Sequence, residues 1–400
     1  MPDADLWRQY PILPNDGVAG TLIGRVWRPA AAGQPGGPSL VAIRADGVFD
    51  ITRAAPTSSV LLNAADPVAL VRGTPGERLG TLEEIVAHTV ANPPDESKPR
   101  LLAPVDLQAV KAAGVTFAVS LLERLIEEQA KGDPARAESV RQELSAAVGA
   151  DIARVKPGSP QAEQLKQALV KKGLWSPYLE VGIGPHAEIF TKAPPMASVG
   201  YGVEIGIRVD SDWNNPEPEV VLAVNARGDI VGATLGNDVN LRDMEGRSAL
   251  LLGKAKDNNA SSAIGPFIRL FDETFSLDDV RKAEVSLEVL GLDQFHLRGK
   301  SDLSQISRDP AELVRQAMGQ HHQYPDGMVL YTGTLFAPTQ PRTAGGAGFT
   351  HAIGDLVVIR SPRLGTLMNR VNRCDAIAPW TFGAGALMQN LAARSLLGRQ

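Results

Sequence analysis

Short strand-like runs, separated by glycine- and proline-rich turns, recur along most of this chain and constrain its fold more than any other feature. Two lie near the start, at residues 21–27 and 39–43, with a Q-P-G-G-P turn between them. From about residue 180 the pattern returns. Its strand candidates are residues 204–209, 219–224, 230–234, 283–289 and 356–359, with helices predicted at 277–282 and 310–318. Many short strands with turn signals between them favour an antiparallel or mixed β architecture.

A different pattern occupies residues 106–176. Leu121, Leu122, Leu125 and Ile126 recur at helical spacing, and further helices are predicted at 134–148 and 160–172. This segment is either a lid or a set of surface helices. The prediction is an α+β, β-rich chain of three parts: an N-terminal β-rich domain (1–105), the helical segment (106–176) and a larger β-rich domain (177–400).

Composition excludes several classes of function. A net charge of -5 with a pI near 5.8 argues against a nucleic-acid partner. No run approaches the roughly 18 consecutive apolar residues of a membrane span, and the N-terminus lacks the features of a signal peptide. We therefore expect a cytoplasmic protein without a membrane partner. The single cysteine, Cys374, excludes an intrachain disulfide and a thiolate metal cluster.

Two glutamates at alternate positions, Glu217 and Glu219, mark the most informative stretch. Successive side chains of a strand point to opposite faces, so these two carboxylates share one face. Such a pair is commonly just a solvated strand end. Residues 225–229 then predict a hairpin turn, with Gly228 able to take a positive φ.

The length of that turn decides where Asp238 lies. A two-residue loop at 227–228 places Asp238 opposite Glu217, and a loop at 226–227 keeps it on the same face. A plain three-residue loop without a bulge would move it to the opposite face. In the first two registers three carboxylates converge, and such an oxygen-only site suits Mg²⁺ or Mn²⁺ better than zinc.

Five elements, in order, resemble the signature of the fumarylacetoacetate hydrolase superfamily. They are N-P-E-P-E (215–219), N-D-V-N-L-R-D (237–243), K-D-N-N-A-S-S-A-I-G-P (256–266), T-G-T (332–334), and G-D with L-G-T-L-M-N (354–355 and 364–369). The third element departs at Ala263, where the family has proline. The resemblance covers about residues 110–375.

This resemblance implies the family's mixed β-roll, and it makes Glu217, Glu219 and Asp238 the metal ligands. It implies Mg²⁺ as cofactor, with Mn²⁺ as the alternative. The implied partner is a small 2-oxo acid or diketo acid substrate that chelates the metal. Family members form oligomers, so a homodimer or homotetramer is expected. A Lewis acid on the ketone oxygen would stabilise the enolate formed when the neighbouring carbon loses a proton.

A departure from the family's hydrolases bears on the reaction. These carry G-x-N-Y-x-x-H-x-x-E, whose His–Glu pair activates water, but Ser120 stands at the histidine position of the matching stretch 114–123. A hydroxyl without a partner cannot act as a general base near pH 7. His186, His321 or His322 could in principle replace the imidazole from elsewhere in the fold.

The E-I-F-T-K stretch at 188–192, together with Ser120, resembles the branch that dehydrates 2-keto-3-deoxypentonates. The function so implied is metal-dependent conversion of 2-keto-3-deoxy-D-xylonate (or D-arabinonate) to 2,5-dioxopentanoate. The alternative is a metal-dependent hydrolase or decarboxylase of acylpyruvates. A third interpretation is a binding protein that has kept the fold without the activity.

The predicted residue roles follow from the dehydratase interpretation. Glu188 and Lys256 share the acid and base work, in an order that the sequence leaves open. The predicted substrate-binding residues are Lys192, Ser120, Glu123, Asn237 and Thr334. Lys192 could instead be a surface lysine, and Thr334 could simply turn the chain.

Overall fold

Strands dominate the protein, as the sequence predicts. The computed structural model describes residues 6–31, 33–131, 133, 135–142, 155–171, 175–336, 338–342 and 348–397. The strands are β1 (Leu22–Arg28), β2 (Gly37–Arg44), β3 (Gly47–Asp50), β4 (Glu77–Gly80), β5 (Arg100–Leu102), β6 (Ala109–Gly114), β7 (Glu188–Ala193), β8 (Glu204–Ile207), β9 (Asn214–Asn215), β10 (Pro218–Val224), β11 (Ile230–Asp238), β12 (Asn240–Leu241), β13 (Ser262–Leu270), β14 (Glu284–Leu290), β15 (His296–Asp302), β16 (Met328–Tyr331), β17 (Leu356–Ser361) and β18 (Gly365–Arg373).

The described helices are fewer than the described strands. The α-helices span Leu6–Gln9, Ser58–Leu62, Pro67–Gly73, Leu82–Val90, Ala118–Ala130, Pro160–Lys171, Pro177–Ile183, Arg242–Glu245, Leu252–Lys256, Leu277–Arg281, Pro310–Ala317 and Ala384–Ala393, and short 3-10 helices cover Ala249–Leu251 and Leu303–Gln305. Residues 135–142 are also helical. None of the described helices combines the length and apolar character needed to cross a bilayer.

Two sheets and a short ladder organise the described strands. The largest sheet has 11 strands in the order β4-β3-β2-β1-β13-β11-β10-β16-β6-β7, with β5 paired to β1. A second sheet follows the order β15-β14-β17-β18-β8, and β9 and β12 form the ladder. Most neighbours are antiparallel, but β16 and β6 run parallel, as do β18 and β8. The predicted mixed, β-rich α+β architecture is therefore confirmed.

Strand β10 lies in the middle of the large sheet and is buried along its length. Val220 and Leu222 pack into one hydrophobic cluster, whereas Val221 and Ala223 pack into another. Side chains of a strand alternate between faces, so the sheet is covered on both sides. Glu219 continues the row of Val221 and Ala223, which places its carboxylate in a region shielded from water.

The β10–β11 hairpin has the register in which Glu217 lies opposite Asp238. Pro218 pairs with Asn237, and the same register continues to Ala223 before it shifts by one residue at an irregularity next to Val224. The register with Asp238 on the face of Glu217 is therefore confirmed. The structure reaches it through a β-bulge.

The turn of this hairpin is longer than the two residues that the favoured registers require. The backbone N–H of Asn225 donates to the carbonyl oxygen of Asp229 at 3.0 Å, which leaves residues 226–228 in the loop. Gly228 has the predicted positive φ, 86°. A plain three-residue loop would have moved Asp238 to the other face, and the bulge adds the one-residue shift that cancels this effect.

The N-terminal strands belong to the sheet that carries the carboxylates. Leu22 of β1 lies opposite Arg269 of β13, and β13 pairs on its other side with β11. This segment also contains helices that the strand-like pattern did not predict. The Leu82–Val90 helix, for example, begins at a capping box formed by Thr81 and Glu84. The division of the chain at residues 105 and 176 stays a prediction.

Helical structure in the segment predicted for 106–176 begins only at Ala118. Residues 109–114 form β6, whose alanine- and glycine-rich sequence carries little strand signal but pairs in parallel with β16. The predicted helix at 160–172 is found as Pro160–Lys171. Of the predicted helix at 134–148, residues 135–142 are helical, while residues 134 and 143–148, like residue 172, lie outside the described residues.

Candidate metal centre

Three carboxylates converge at the end of the β10–β11 hairpin. Glu217, Glu219 and Asp238 each contribute one oxygen, and these three oxygens lie within 4.8 Å of one another. All three side chains are buried. The convergence predicted from the spacing is confirmed, while their role as metal ligands stays a prediction.

Two buried lysines hold this triad. The Lys256 ammonium donates to Glu217 Oε2 at 2.6 Å and to Asp238 Oδ2 at 3.2 Å. Lys192 Nζ lies 2.8 Å from Asp238 Oδ1 and donates to the carbonyl oxygen of Val239 at 3.0 Å. Since Lys192 has 0 % exposure and does not line the cavity beside the triad, it is no surface lysine. It pairs with Asp238, and its role in substrate binding stays a prediction.

An arginine and a further glutamate, which the sequence analysis did not single out, complete the charged cluster. Arg124 Nη2 donates to Glu217 Oε1 at 2.6 Å, and its Nη1 lies 3.0 Å from Glu245 Oε2. Only 13 % of the Arg124 side chain and 4 % of the Glu245 side chain are exposed. Arg124 follows Ser120 by four residues, so their shared helix face was a signal available in the sequence.

Burial and these neighbours set the protonation of the cluster. Burial raises the pKa of Glu219 well above its usual value, and the charges of Asp238 and Glu217 raise it further. Burial also acts on Glu217, but the charges of Lys256 and Arg124 outweigh it and lower that pKa to about 2. Burial lowers the pKa of Lys256, yet Asp238 and Glu217 more than compensate and keep it raised. The triad thus pairs a firmly ionised carboxylate with one that resists ionisation.

Glu188 approaches the same cluster from β7. Glu188, Phe190 and Lys192 alternate along this strand and so share one face; Phe190 lines the cavity, and Lys256 Nζ lies 5.6 Å from its ring centroid. Burial chiefly, and the charge of Glu245, raise the pKa of Glu188 to about 7. Gly114 gives this carboxylate its room, because a Cβ there would lie 1.9 Å from Glu188 Oε2.

The T-G-T element forms the next wall, at the end of β16. The Gly333 N–H donates to Glu219 Oε2 at 2.6 Å. Its φ of 89° favours glycine, and a Cβ there would lie 2.0 Å from Thr116 Oγ1. Thr334 lines the cavity, and its hydroxyl accepts a hydrogen bond from the Phe336 N–H at 3.2 Å. Thr334 therefore both shapes the turn and faces the site.

Two of the remaining predicted substrate-binding residues are directed elsewhere. The Glu123 carboxylate pairs with Arg141 at 2.9 Å and with Arg242 at 3.4 Å, and Glu123 does not line the cavity. The Asn237 side chain accepts a hydrogen bond from the Glu217 N–H at 3.1 Å and thereby braces a predicted metal ligand. The roles of Glu123 and Asn237 in substrate binding stay predictions; one helix residue further along, Arg124 lines the cavity.

Ser120 does line the cavity, as predicted, and its hydroxyl donates to the carbonyl oxygen of Phe117 at 2.9 Å. None of the described histidines lines this cavity. His186, His321 and His322 are exposed, so they do not supply the missing imidazole in this conformation.

The cavity that these side chains enclose is small, about 20 Å³. This is room for about one water molecule. A larger cleft of about 590 Å³ lies beside it and shares Val115 as a wall. Val115 has a φ of 55°, which is a strained conformation for a β-branched residue. The loop between β6 and the Ala118–Ala130 helix thus separates the buried triad from the larger cleft.

The donor set fits a hard divalent cation. Three carboxylate oxygens without sulfur or imidazole match the preference of Mg²⁺ for oxygen ligands and leave positions open for water or substrate. The raised pKa of Glu219 points the same way, since three buried carboxylates repel one another unless a cation compensates them. The structure therefore has a buried acidic site that can hold a metal ion.

Comparison with known proteins identifies the family. Residues 162–372 match the domain described as fumarylacetoacetate (FAA) hydrolase, C-terminal. The chain belongs to this family. The resemblance read from the five sequence elements is thereby confirmed.

Two curated relatives of this FAA hydrolase family member are similar over part of their length. A probable 2-keto-3-deoxyxylonate dehydratase of Haloferax volcanii is 34% identical over 194 residues, which cover 48% of this chain and 63% of the relative. A 2-dehydro-3-deoxy-D-arabinonate dehydratase of Saccharolobus solfataricus is 32% identical over 189 residues, or 46% of this chain and 59% of the relative. In both cases the match spans less than two thirds of the relative.

Solved structures show that the fold is shared. The apo form of a 2-keto-3-deoxy-D-arabinonate dehydratase superposes with a TM-score of 0.61 at 20% identity, covering 88% of this chain and 99% of that one. The same enzyme in complex with magnesium and 2,5-dioxopentanoate gives a TM-score of 0.61 at 21% identity and the same coverage. The predicted fumarylacetoacetate-hydrolase-type fold is confirmed.

Proposed function

We propose that this protein is a Mg²⁺-dependent dehydratase, a hydro-lyase that converts a 2-keto-3-deoxy-D-pentonate (xylonate or arabinonate) to 2,5-dioxopentanoate. The observation that carries the proposal is one buried carboxylate triad bridged by Lys256, with Glu188 near enough for the charges of Lys256 and Glu217 to act on its pKa. Ser120 lines the same cavity, and none of the described histidines does. Dehydration needs an acid and a base but no activated water, which suits this set of groups.

In the proposed reaction the substrate's carboxylate and 2-oxo group face the triad. A divalent cation held by Glu217, Glu219 and Asp238 would supply Lewis-acid stabilisation of the charge that develops on the ketone oxygen. Glu188, whose pKa of about 7 suits proton exchange near neutral pH, removes a proton from C3. Lys256 protonates the departing C4 hydroxyl, which leaves as water. The unsaturated 2-oxo acid then tautomerises, with the C5 carbinol becoming the aldehyde.

Supporting facts come from the relatives as well as from the site. Both curated relatives are named as dehydratases of 2-keto-3-deoxypentonates, and a structural neighbour binds magnesium and 2,5-dioxopentanoate. These facts concern those proteins. They support the same substrate class here because the triad, Glu188 and Lys256 form one cluster in this chain.

The helical segment is proposed as a lid over this site. The cavity of about 20 Å³ is too small for a five-carbon acid, so a wall has to move before the substrate can enter. Ser120 and Arg124, on the Ala118–Ala130 helix, form one such wall.

We also propose that the protein forms a homodimer or a homotetramer. Sedimentation velocity measures the oligomeric state.

The experiment that tests the function is an aldehyde-release assay on the purified protein. Supplied with Mg²⁺ and 2-keto-3-deoxy-D-xylonate, the protein should form 2,5-dioxopentanoate, and EDTA should stop the reaction. Cleavage of an acylpyruvate in a parallel assay, without aldehyde release, would favour the hydrolase alternative. Mg²⁺ binding without turnover of any 2-oxo acid would favour the non-catalytic interpretation.

A further inference from the structure

The cavity beside the triad has an unusual balance of charge. Four carboxylates line it, and two cationic side chains, Arg124 and Lys256, face them. Three of the carboxylates are the predicted metal ligands, and the fourth is Glu245. Without Glu245, a bound divalent cation would leave the lining with a net positive charge able to attract a second anionic group. With Glu245, the cation only brings the formal charges to balance.

Glu245 is held at a defined place in this lining. Its carboxylate lies 3.0 Å from Arg124 Nη1, and the other terminal nitrogen of the same guanidinium donates to Glu217 at 2.6 Å. One guanidinium group therefore separates Glu245 from the triad. A substrate chain that extends from the metal past Arg124 meets the Glu245 carboxylate next.

From this geometry we infer that Glu245, positioned by Arg124, selects 2-oxo acids whose far end is uncharged and hydroxylated, and rejects dicarboxylates. A carboxylate accepts the hydrogen of a substrate hydroxyl, whereas a second carboxylate of the substrate would meet it as a like charge away from water. Juxtaposed like charges in such a site repel each other, and burying an unpaired charge is itself unfavourable. The inference rests on the proposed function and assigns the residue that sets its substrate class.

Two non-hydroxylated probes of equal chain length separate this role from a purely structural one. 2-Oxopentanoate and 2-oxoglutarate both offer a 2-oxo carboxylate to the metal, and only the second carries a carboxylate at C5. Isothermal titration calorimetry on the full-length, Mg²⁺-loaded protein gives both affinities without any turnover. The wild-type protein should bind 2-oxopentanoate at least about tenfold more tightly than 2-oxoglutarate.

In the Glu245→Gln variant the ratio of the two affinities should shift by at least about tenfold toward 2-oxoglutarate, because the substitution removes the charge and keeps the shape of the side chain. The matched control is Glu284→Gln, the same change at an exposed carboxylate paired with Lys300, and it should keep the wild-type ratio. Equal weakening of both probes in Glu245→Gln would show a structural role only and overturn the inference. Glu245→Asp, which keeps the charge, should retain the preference, and it serves if the Gln variant does not fold.

The outcomes also separate this inference from the proposed function. If the wild-type protein is an active dehydratase and Glu245→Gln keeps the wild-type ratio of probe affinities, only the role of Glu245 is overturned. An inactive protein that still shows the predicted shift in ratio keeps the inference and removes the dehydratase. Failure of the wild-type protein to bind either probe overturns the role of Glu245, while the aldehyde-release assay decides the proposed function separately.

Discussion

The backbone N–H of Asp238 donates to the carbonyl oxygen of Glu217 at 3.1 Å, so two predicted metal ligands are joined directly across the hairpin. Their side chains leave the same face from opposite strands, and Lys256 bridges both carboxylates. The geometry of the site is therefore set by a central sheet hairpin and not by flexible loops. A site built on such an element holds its ligands in place before the ligand arrives.

Mg²⁺ should stabilise the fold, because burial and the charges of Asp238 and Glu217 raise the pKa of Glu219, and a bound cation offsets the cost of ionising this buried carboxylate. At a hundredfold excess over Kd the gain is about 2.7 kcal/mol, as for any ligand that binds only the folded state. Differential scanning fluorimetry with and without Mg²⁺ measures it. Glu219→Gln should abolish most of the shift, while Asp375→Asn, at an exposed carboxylate paired with Arg373, should keep it. Equal shifts in both variants would contradict the metal site.

Replacing Glu188 should stop the chemistry without releasing the metal. Glu188→Gln removes the proposed base, so kcat should fall by about 10²–10⁴-fold, with Mg²⁺ affinity unchanged by calorimetry. Near-normal turnover in this variant would exclude Glu188 as the base.

A second variant tests the position of the same carboxylate without altering it. In Gly114→Ala the new Cβ would lie 1.9 Å from Glu188 Oε2, so the side chain has to move. We expect lower kcat with intact Mg²⁺ binding and normal folding. The control is Gly73→Ala, where a Cβ meets nothing within 4 Å. Equal activity of the two alanine variants would mean that the Glu188 position does not matter.

The pH profile of turnover should show an acid limb near pH 7. The pKa of Glu188 is raised to about 7, and a base acts only when deprotonated, so kcat/KM should fall as pH drops through this value. An ordinary glutamate titrates near pH 4.3, so an acid limb at about that pH would contradict the assignment. Saturating Mg²⁺ at each pH keeps loss of metal from mimicking the limb.

Lys192 should matter for stability more than for substrate affinity. It is fully buried and pairs with Asp238 at 2.8 Å, so Lys192→Met leaves a buried carboxylate without one of its partners, which costs about 3–5 kcal/mol. Urea unfolding of the metal-free protein measures this. The control is Lys111→Met, where the ammonium meets only the exposed Thr191 hydroxyl; a change within about 0.5 kcal/mol is expected. Similar losses in both variants would contradict the buried pair.

How far the sequence predicts the site depends on the range of the interactions involved. The alternation of side chains along strands places Glu217 and Glu219 on one face, and a hairpin turn adds Asp238. These are local rules, and the structure confirms their result. The bulge next to Val224 was not predicted, since the turn residues permit several loop lengths.

Contacts between segments that are distant in the sequence could not be predicted from it. Arg124 meets Glu245 only because the Ala118–Ala130 helix packs beside the residues that follow Asp238, and no periodicity predicts that approach. Glu123 was expected in the site because the family motif has a glutamate there. The structure turns its neighbour Arg124 inward instead, on the same helix face as Ser120.

The place of β13 in the large sheet limits how this protein can be dissected. The strand lies between β1 and β11, so the sheet that carries Asp238 continues directly into the first fifty residues. The family match begins only at residue 162, which suggests an easy truncation. Removing the N-terminal strands would instead leave the end of β13 around Ile268 and Arg269 without its partner strand, an exposed sheet edge that favours aggregation. A minimal folded fragment therefore has to keep the start of the chain.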